Sequence, residues 1–190
     1  FVGNVTLVTA LGEDDSHEDF IRSKLHNEVQ PIFFYKKNSR TLVKRRFVDM
    51  DLLKLFEVYL MDEDELLPAE LDEKVSDWLD KELGRFDVVI IPDFGHGFIT
   101  DKMIRVLEAK SKYMAVNTQV NSGNRGYHAI SRYSRADLVS LNEPELRLAT
   151  HNRHDSVEVL AKKVCKAVNA KHVSITRGTN GAITLSSDAN

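Results

Sequence analysis

Four apolar runs in the second half of the chain are each followed directly by a polar residue. The runs cover residues 87–92, 113–116, 136–141 and 172–175, and the residues after them are Asp93, Asn117, Asn142 and Thr176. Segments with helical periodicity separate the runs. Short buried strands that alternate with helices form a parallel sheet, and the ligands of such sheets bind at the carboxyl ends of the strands. The pattern therefore predicts an α/β fold with these four polar residues at one binding edge.

The composition excludes several classes of protein. A formal net charge of −3 in 190 residues gives no basic surface of the kind that binds nucleic acid. We therefore expect no nucleic-acid partner. No apolar run approaches the roughly 18 residues of a membrane span, so we also expect no membrane partner. The single cysteine, Cys165, cannot form an internal disulfide and is typical of a reducing compartment. We therefore expect a cytoplasmic protein. A length of 190 residues predicts one domain, or one domain and a small appendage.

The first third of the chain departs from the alternation of strands and helices. Residues 5–10 predict a buried strand, and Asp15 and Ser16 predict the start of a helix that extends to about Val29. Further β-like runs follow within residues 31–62, with a turn signal between them. Because no long helix separates these runs, we expect them to pair as a small antiparallel sheet that projects from the main domain.

The strongest candidate for chemistry is the segment of residues 142–145, at a strand end and a helix start. Asn142 and Glu145 are three residues apart, so their side chains can face the same side of the first helical turn. A carboxylate there can hold Mg²⁺ directly or through water, since Mg²⁺ keeps several waters and takes few protein carboxylates. The same residues also fit a capping asparagine with a first-turn glutamate and no ligand. Both interpretations stay open at this point.

Two glycine-containing turns are the next candidates. Residues 176–181 lie between two strand-like runs, and their glycines allow backbone N–H groups to approach an anion. An ordinary glycine turn of a β-hairpin fits this segment equally well. Residues 93–97 follow another strand, where Asp93 could bind a hydroxyl or a cation and His96 could face a phosphate. The alternative for this second segment is a tight turn between a strand and a helix.

In their order along the chain, six segments resemble those of the ribokinase-like (PfkB) carbohydrate kinases. They are the early strand with its Gly-Asp-Asp-type loop (residues 4–15), the lid sheet (31–60), a lid strand of the heptose phosphate kinase branch (41–46), the Asp-Tyr-x-Lys-Gly-x-Leu-Thr segment (93–100), the Asn-x-x-Glu motif (142–145) and the Thr-x-Gly-x-x-Gly loop (176–181). The resemblance implies a mostly parallel, three-layer core from residues 1–30 and 63–190, with a small antiparallel β lid from residues 31–62.

The resemblance also implies an activity, the transfer of the γ-phosphate of ATP to a hydroxyl of a sugar or sugar phosphate, with Mg²⁺. Asn142 and Glu145 would organise Mg²⁺, through water, and Thr176, Gly178 and Gly181 would border the nucleotide. The path of the phosphate or substrate would carry four further residues: Asp93, Gly95, His96 and Asn117. Catalysis of this kind is mainly positioning and charge neutralisation, which suits polar groups at strand ends.

Two parts of the family pattern are expected outside these residues. The catalytic base, the aspartate of a Gly-Ala-Gly-Asp motif, is expected beyond Asn190, and an amino-terminal sugar-binding segment is expected before Phe1. We therefore expect the central fragment of a kinase, truncated at both ends and inactive by itself. His96 stands in place of a lysine of the heptose branch, and Asn117 stands where an aspartate is common.

Two other functions stay open. A non-catalytic module that binds a nucleotide or sugar, a degenerate kinase, fits the substitutions at Phe94, where the family has tyrosine, at His96 and at Asn117. A scaffold that dimerises through the lid sheet fits the apolar side chains of residues 31–60. As partners we expect a sugar or sugar-phosphate substrate and a homodimer through the lid. A nucleotidyltransferase domain fused to the parent protein, as in some heptose-type kinases, is the third expected partner.

Overall fold

The structure is a computed structural model that describes residues 3–61, 66–120, 124 and 127–187. The chain divides into two compact units, Phe1–Glu73 and Lys74–Asn190. Among the described residues, no helix combines the length and the apolar character that crossing a membrane requires. The acidic residues 62–65 and most of the polar, glycine-rich segment 121–126, for which the sequence predicts a loop, fall outside the described residues.

The first unit begins with two parallel strands joined by a short helix. These elements are β1 (Val5–Gly12), α1 (Glu18–Lys24) and β2 (Val29–Lys36). The strands pair in register from Val5 opposite Val29 to Gly12 opposite Lys36. The prediction that residues 31–36 belong to an antiparallel sheet is therefore wrong. A helix of only seven residues suffices for the parallel crossover. The predicted end of this helix at about Val29 is also wrong, because Val29 already pairs in β2.

The start of α1 also differs from the prediction that Asp15 and Ser16 cap it. The capping position is His17, with a φ of 52° and no hydrogen bond from its side chain to the helix. The backbone at Asp15 is held elsewhere, because its carbonyl accepts the Thr41 N–H at 3.1 Å and it forms an isolated bridge with Arg40. Pairing with residues 40–41 therefore holds Asp15 outside the helix, and of the expected cap only the Ser16 hydroxyl remains, which accepts the Glu18 N–H at 3.3 Å.

A separate antiparallel hairpin completes the strands of this unit. It consists of β3 (Val43–Val48) and β4 (Lys54–Leu60), with an irregularity in the pairing between Phe47 and Val48. The rings of Phe47 and Phe56 stack with their centroids 4.4 Å apart. The prediction of a small antiparallel sheet is confirmed, but the sheet covers residues 43–60 only. The division into core and lid domains, and a homodimer through this hairpin, stay predictions.

Gly12 lies where β1 meets the segment before β3. Its N–H donates to Thr41 Oγ1 at 2.9 Å, and a Cβ added at Gly12 would overlap with backbone atoms of Ser39 and Arg40. Because backbone atoms cannot move aside as a flexible side chain does, Gly12→Ala is expected to lower the free energy of unfolding by about 1–3 kcal/mol. Urea denaturation measures this change. Gly84→Ala is the matched control, since no atom lies within 4 Å of an added Cβ there; an equal effect of the two changes would contradict the argument.

The second unit is built on a five-stranded sheet. Helix α2 (Ala69–Glu82) spans the boundary between the units. The elements after it are β5 (Val89–Asp93), α3 (Asp101–Lys110), β6 (Met114–Thr118), β7 (Ala136–Asn142), α4 (Glu143–Ala149), α5 (Val157–Ala167), β8 (Ala170–Thr176) and β9 (Ala182–Ser186). The strand order is β5-β6-β7-β8-β9, with β5 to β8 parallel and β9 antiparallel to β8. All four predicted runs form strands, which confirms the mostly parallel α/β fold.

The core of this unit lies between the sheet and its helices. Helix α5 packs against β8, and α4 packs against α5 and β7. Thr100 caps helix α3, because its hydroxyl accepts the Met103 N–H at 3.1 Å. Fully buried apolar side chains come from both strands and helices: Met103, Met114, Val139, Leu146, Leu160, Ala161 and Val173. Burial of this apolar surface provides the main driving force for the fold.

A buried carboxylate ties the amino ends of three strands. Asp137 is 1% exposed and accepts the Met114 N–H at 2.8 Å, the Lys171 ammonium at 2.8 Å and the Arg135 guanidinium at 3.1 Å. Burial alone would raise the pKa of Asp137, but Lys171, the Met114 N–H and Arg135 together lower this pKa below its usual range. The ion cluster joins β6, β7 and β8, and so helps to fix the strands whose other ends carry the candidate site.

Candidate functional site

The parallel strands bring the four predicted polar residues to one edge of the sheet. Asn142 and Thr176 end β7 and β8 and lie opposite each other in the strand pairing. Asp93 ends β5, and Asn117 lies one residue before the end of β6. The Asn117 amide donates to the Ser140 carbonyl at 2.8 Å, which adds a side-chain link between β6 and β7. The edge therefore exists as the topology requires, while the roles of its residues stay predictions.

Asn142 and Glu145 form a reciprocal capping box at the start of α4. Asn142 Oδ1 accepts the Glu145 N–H at 2.8 Å, and Glu145 Oε2 accepts the Asn142 N–H at 2.8 Å. Glu145 is only 6% exposed, and burial raises the pKa of its carboxyl, against the lowering effect of N–H groups of Asn142 and Val120. Both side chains thus have a local structural role. A carboxylate oxygen has more than one acceptor position, so a further polar ligand is still compatible with this geometry.

Asp93 lies within a buried polar network. The Tyr133 hydroxyl donates to Asp93 Oδ2 at 2.8 Å, and Arg132 lies 3.3 Å from the same oxygen. His128 Nε2 lies 2.8 Å from Oδ1, but its alignment falls outside that of a hydrogen bond, so we treat this contact as electrostatic. Burial alone would raise the pKa of Asp93, whereas His128, Tyr133 and the Gly95 N–H lower it overall. Protein groups therefore already satisfy this carboxylate.

The turn after β5 is packed against the same network. Gly95 has a φ of 69°, and an added Cβ would lie 2.7 Å from both His128 Cγ and Asn124 Nδ2. Packing within the protein therefore explains this glycine without a ligand. His96 is half-buried. No sequence motif indicates His128, Arg132 or Tyr133, and the four-residue spacing of the first two is only a weak signal.

The loop after β8 is a hairpin connection with two left-handed glycines. Residues Gly178–Asn180 form a 3₁₀ turn, and the Arg177 N–H donates to the Gly181 carbonyl at 2.8 Å. Gly178 and Gly181 have φ values of 57° and 77°, in the region that favours glycine. The backbone of this segment is therefore that of a hairpin turn between β8 and β9.

An open groove of about 1440 Å³ runs beside this edge. It is lined by residues of both predicted motifs, among them Asn142, Thr176 and Gly178, together with Glu143, Arg147 and Arg177. Among the described residues, no group of three or more His, Cys, Asp or Glu side chains is placed to hold a metal ion. Arg147 and Arg177 give the groove guanidinium groups that can bind an anionic ligand, and Glu143 adds a carboxylate beside them.

A family model described as pfkB family carbohydrate kinase matches residues 1–190 of this chain. The chain belongs to the pfkB family of carbohydrate kinases. The resemblance noted from the sequence motifs is thereby confirmed. The family is one of carbohydrate kinases, which are phosphotransferases.

Curated relatives of this pfkB chain include two bacterial proteins named bifunctional protein HldE. The protein from Pelobacter propionicus is 26% identical over 191 residues, which cover 97% of this chain and 38% of the relative. The protein from Shewanella loihica is 23% identical over 189 residues, which cover 98% of this chain and 38% of the relative. The chain therefore spans less than two fifths of the length of these relatives.

Solved structures of sugar kinases share the fold. Phosphofructokinase-2 from Escherichia coli in complex with potassium has a TM-score of 0.71 at 16% identity, over 98% of this chain and 60% of that chain. Ribokinase from Giardia lamblia has a TM-score of 0.69 at 15% identity, over 96% of this chain and 59% of that chain. These likenesses show the fold, and the ribokinase-like architecture expected from the sequence is confirmed.

Proposed function

We propose that this chain forms the nucleotide-binding part of an ATP-dependent kinase that phosphorylates a hydroxyl of a sugar or sugar phosphate. The observation that carries the proposal is the pairing of Asn142 with Thr176 at the carboxyl edge, beside an open groove, in a pfkB chain. These two residues begin the two motifs that the family resemblance connects with metal, phosphates and nucleotide. The sugar-phosphate acceptor, a homodimer, a fused nucleotidyltransferase domain and a cytoplasmic location belong to this proposal for the parent protein.

The nucleotide would lie along the loop after β8. The Thr176 hydroxyl can donate to a phosphate oxygen, and the left-handed glycines Gly178 and Gly181 leave open space where a side chain would otherwise project. A loop of this kind lets backbone N–H groups approach an anion closely. In phosphoryl transfer the protein mainly orients the reactants and neutralises charge, and these are the roles available to such groups.

Asn142 and Glu145 fit Mg²⁺ in one particular way. Each side chain already holds a backbone N–H in the capping box, which leaves few acceptor positions for direct ligation. Mg²⁺ keeps several waters and is often bound through substrate phosphates, so a bond through water fits these residues. When bound, the ion would neutralise charge on the phosphates during transfer. The buried Glu145 carboxylate would orient the waters of the ion.

The acceptor side of the site is assigned from the family resemblance. Asp93, Gly95, His96 and Asn117 stay predictions for the path of the phosphate or substrate. Asp93 and Gly95 have packing roles that require no ligand.

Titration calorimetry with ATP and Mg²⁺ tests the proposal through Thr176→Val. Loss of a hydroxyl bonded to a charged phosphate is expected to weaken ATP binding about tenfold. Thr179→Val is the matched control, because Thr179 is an exposed threonine of the same loop at a variable position of the motif; its ATP affinity should stay within about twofold of wild type. Absence of ATP binding by the wild-type chain, or equal losses in the two variants, would count against the proposal.

A further inference from the structure

Arg177 lies within the loop that follows β8, between Thr176 and Gly178, at a position that the family motif leaves variable. We propose that Arg177 is a phosphate-binding residue of this groove and that Glu143 is its positioning residue. The inference rests on the proposed function, because it assigns Arg177 to the polyphosphate chain of a nucleoside di- or triphosphate.

The position of Arg177 is set by an ion pair across two strand ends. Arg177 Nε donates to Glu143 Oε2 at 3.1 Å, although the two residues are 34 positions apart in the sequence. The other carboxylate oxygen, Oε1, accepts from Arg147 Nε at 3.1 Å and from an Arg147 terminal nitrogen at 2.7 Å. Glu143 is thus fixed from one side by Arg147, and it holds Arg177 from the other side.

Arg147 and Arg177 differ in how many of their guanidinium N–H groups remain available as donors. The other terminal nitrogen of Arg147 donates to the carbonyls of Arg153 and Asp155 at 3.0 and 3.2 Å, so the whole guanidinium of Arg147 is engaged. Within the part of the chain that the structure describes, Arg177 uses only Nε, and its two terminal nitrogens have no hydrogen-bond partner. The Arg147 side chain therefore holds the protein together, whereas Arg177 retains free donors.

The free donors lie in the groove beside the nucleotide residues. The Arg177 side chain is 30% exposed and lines the groove together with Asn142, Thr176 and Gly178. Glu158 lies within electrostatic range of Arg177, but no hydrogen bond joins the two among the described residues. A planar guanidinium held at Nε presents two parallel N–H groups, which match two phosphate oxygens. An arginine already held in one orientation also loses less entropy on binding.

The experiment compares ATP, AMP and tripolyphosphate by titration calorimetry of the whole chain. Arg177→Gln is expected to weaken ATP and tripolyphosphate about tenfold and AMP by less than about threefold, since a terminal polyphosphate contact is lost. Arg105→Gln is the matched control, because Arg105 is exposed, does not line the groove and undergoes the same charge change. This control should leave the ATP-to-AMP affinity ratio unchanged. Equal effects of the two variants, or a uniform loss for all ligands, would overturn the inference.

Glu143→Gln tests the positioning role. It is expected to lower ATP affinity by less than Arg177→Gln and to reduce the ATP-to-AMP ratio, and it should cause no further loss in the Arg177→Gln background. Additive losses would overturn the role of Glu143.

Tripolyphosphate separates the two proposals: binding that depends on Arg177 but excludes ATP would refute the proposed function alone. Binding of ATP without any effect of Arg177→Gln would refute this inference alone, and a wild-type chain that binds neither ligand would refute both.

Discussion

Asp93→Ala is expected to lower the free energy of unfolding by about 3–5 kcal/mol, because it breaks a buried ion pair and leaves its partners behind. Asp93 is 3% exposed and Tyr133 is 1% exposed, so loss of the carboxylate would leave polar partners buried. The Tyr133 hydroxyl and the Arg132 guanidinium would both lose an acceptor at Asp93 Oδ2. Urea denaturation, followed by tryptophan fluorescence or circular dichroism, measures the change.

Asp101→Ala is the matched control for this experiment. Asp101 also contacts Arg132, at 3.0 Å, but its side chain is 81% exposed. An exposed ion pair contributes less than about 1 kcal/mol, so the control should remain close to wild type. If Asp93→Ala were no more destabilising than Asp101→Ala, the carboxylate would not be needed for stability, and its predicted role toward the substrate would gain weight.

The effect of Asp93 also has a defined pH dependence. Its pKa in the folded protein lies below the ordinary value of 3.8, since the contacts with His128, Tyr133 and the Gly95 N–H outweigh burial. A lowered pKa stabilises the folded state above the pKa of the unfolded chain, and this stability is lost as the pH falls through the folded-state pKa. The difference between wild type and Asp93→Ala should therefore shrink as the pH falls below about 4.

The strands of the second unit were predictable because each one is a short local pattern. An apolar run closed by a polar residue describes a buried strand end, and β5 to β8 all formed from such runs. The error in the first unit also has a local cause. A seven-residue helix was enough to return the chain in parallel, so the absence of a long helix did not imply antiparallel pairing of residues 31–36.

The site was predictable to the extent that its residues are neighbours in the sequence. Asn142 and Glu145 are three residues apart, and both the capping box and the motif follow from that spacing. The side-chain partners of Asp93 are 35 to 40 positions away, on a segment without a strong pattern. Likewise, Glu143 and Arg177 meet only because β7 and β8 pair in register. Contacts of this kind depend on the tertiary structure and leave no local signal.

Glu145→Gln is expected to separate stability from nucleotide binding. A glutamine at this helix position can still accept the Asn142 N–H, so the capping box remains. The change removes a buried charge, and the variant should be at least as stable as wild type at pH 7. Loss of a carboxylate that orients the waters of a bound metal ion typically costs about 10-fold to 100-fold in metal affinity. ATP binding in the presence of Mg²⁺ should fall accordingly, whereas ATP binding in EDTA should stay unchanged.

The pH dependence of stability provides an independent measurement for Glu145. Burial raises the pKa of this carboxyl above 4.5 in the folded state. A group with a raised pKa holds its proton more tightly when folded, so wild type loses stability as the pH rises from 4.5 through the folded-state pKa. Glutamine does not titrate, and the stability of Glu145→Gln relative to wild type should therefore increase across that interval and then level off.

Glu158→Gln is the matched control for both measurements. Glu158 also lies in the first turn of a helix, α5, but it is exposed and not part of the proposed metal site. Its substitution should leave the Mg²⁺-dependent part of ATP binding unchanged.

If Glu145→Gln were less stable than wild type at pH 7 and kept the full Mg²⁺ dependence, the carboxylate would serve the helix start alone. The metal would then have to be held by other groups of the parent protein. The opposite result, a stable variant that no longer responds to Mg²⁺, would mean that Glu145 is buried at a cost in stability because its charge is needed for the metal.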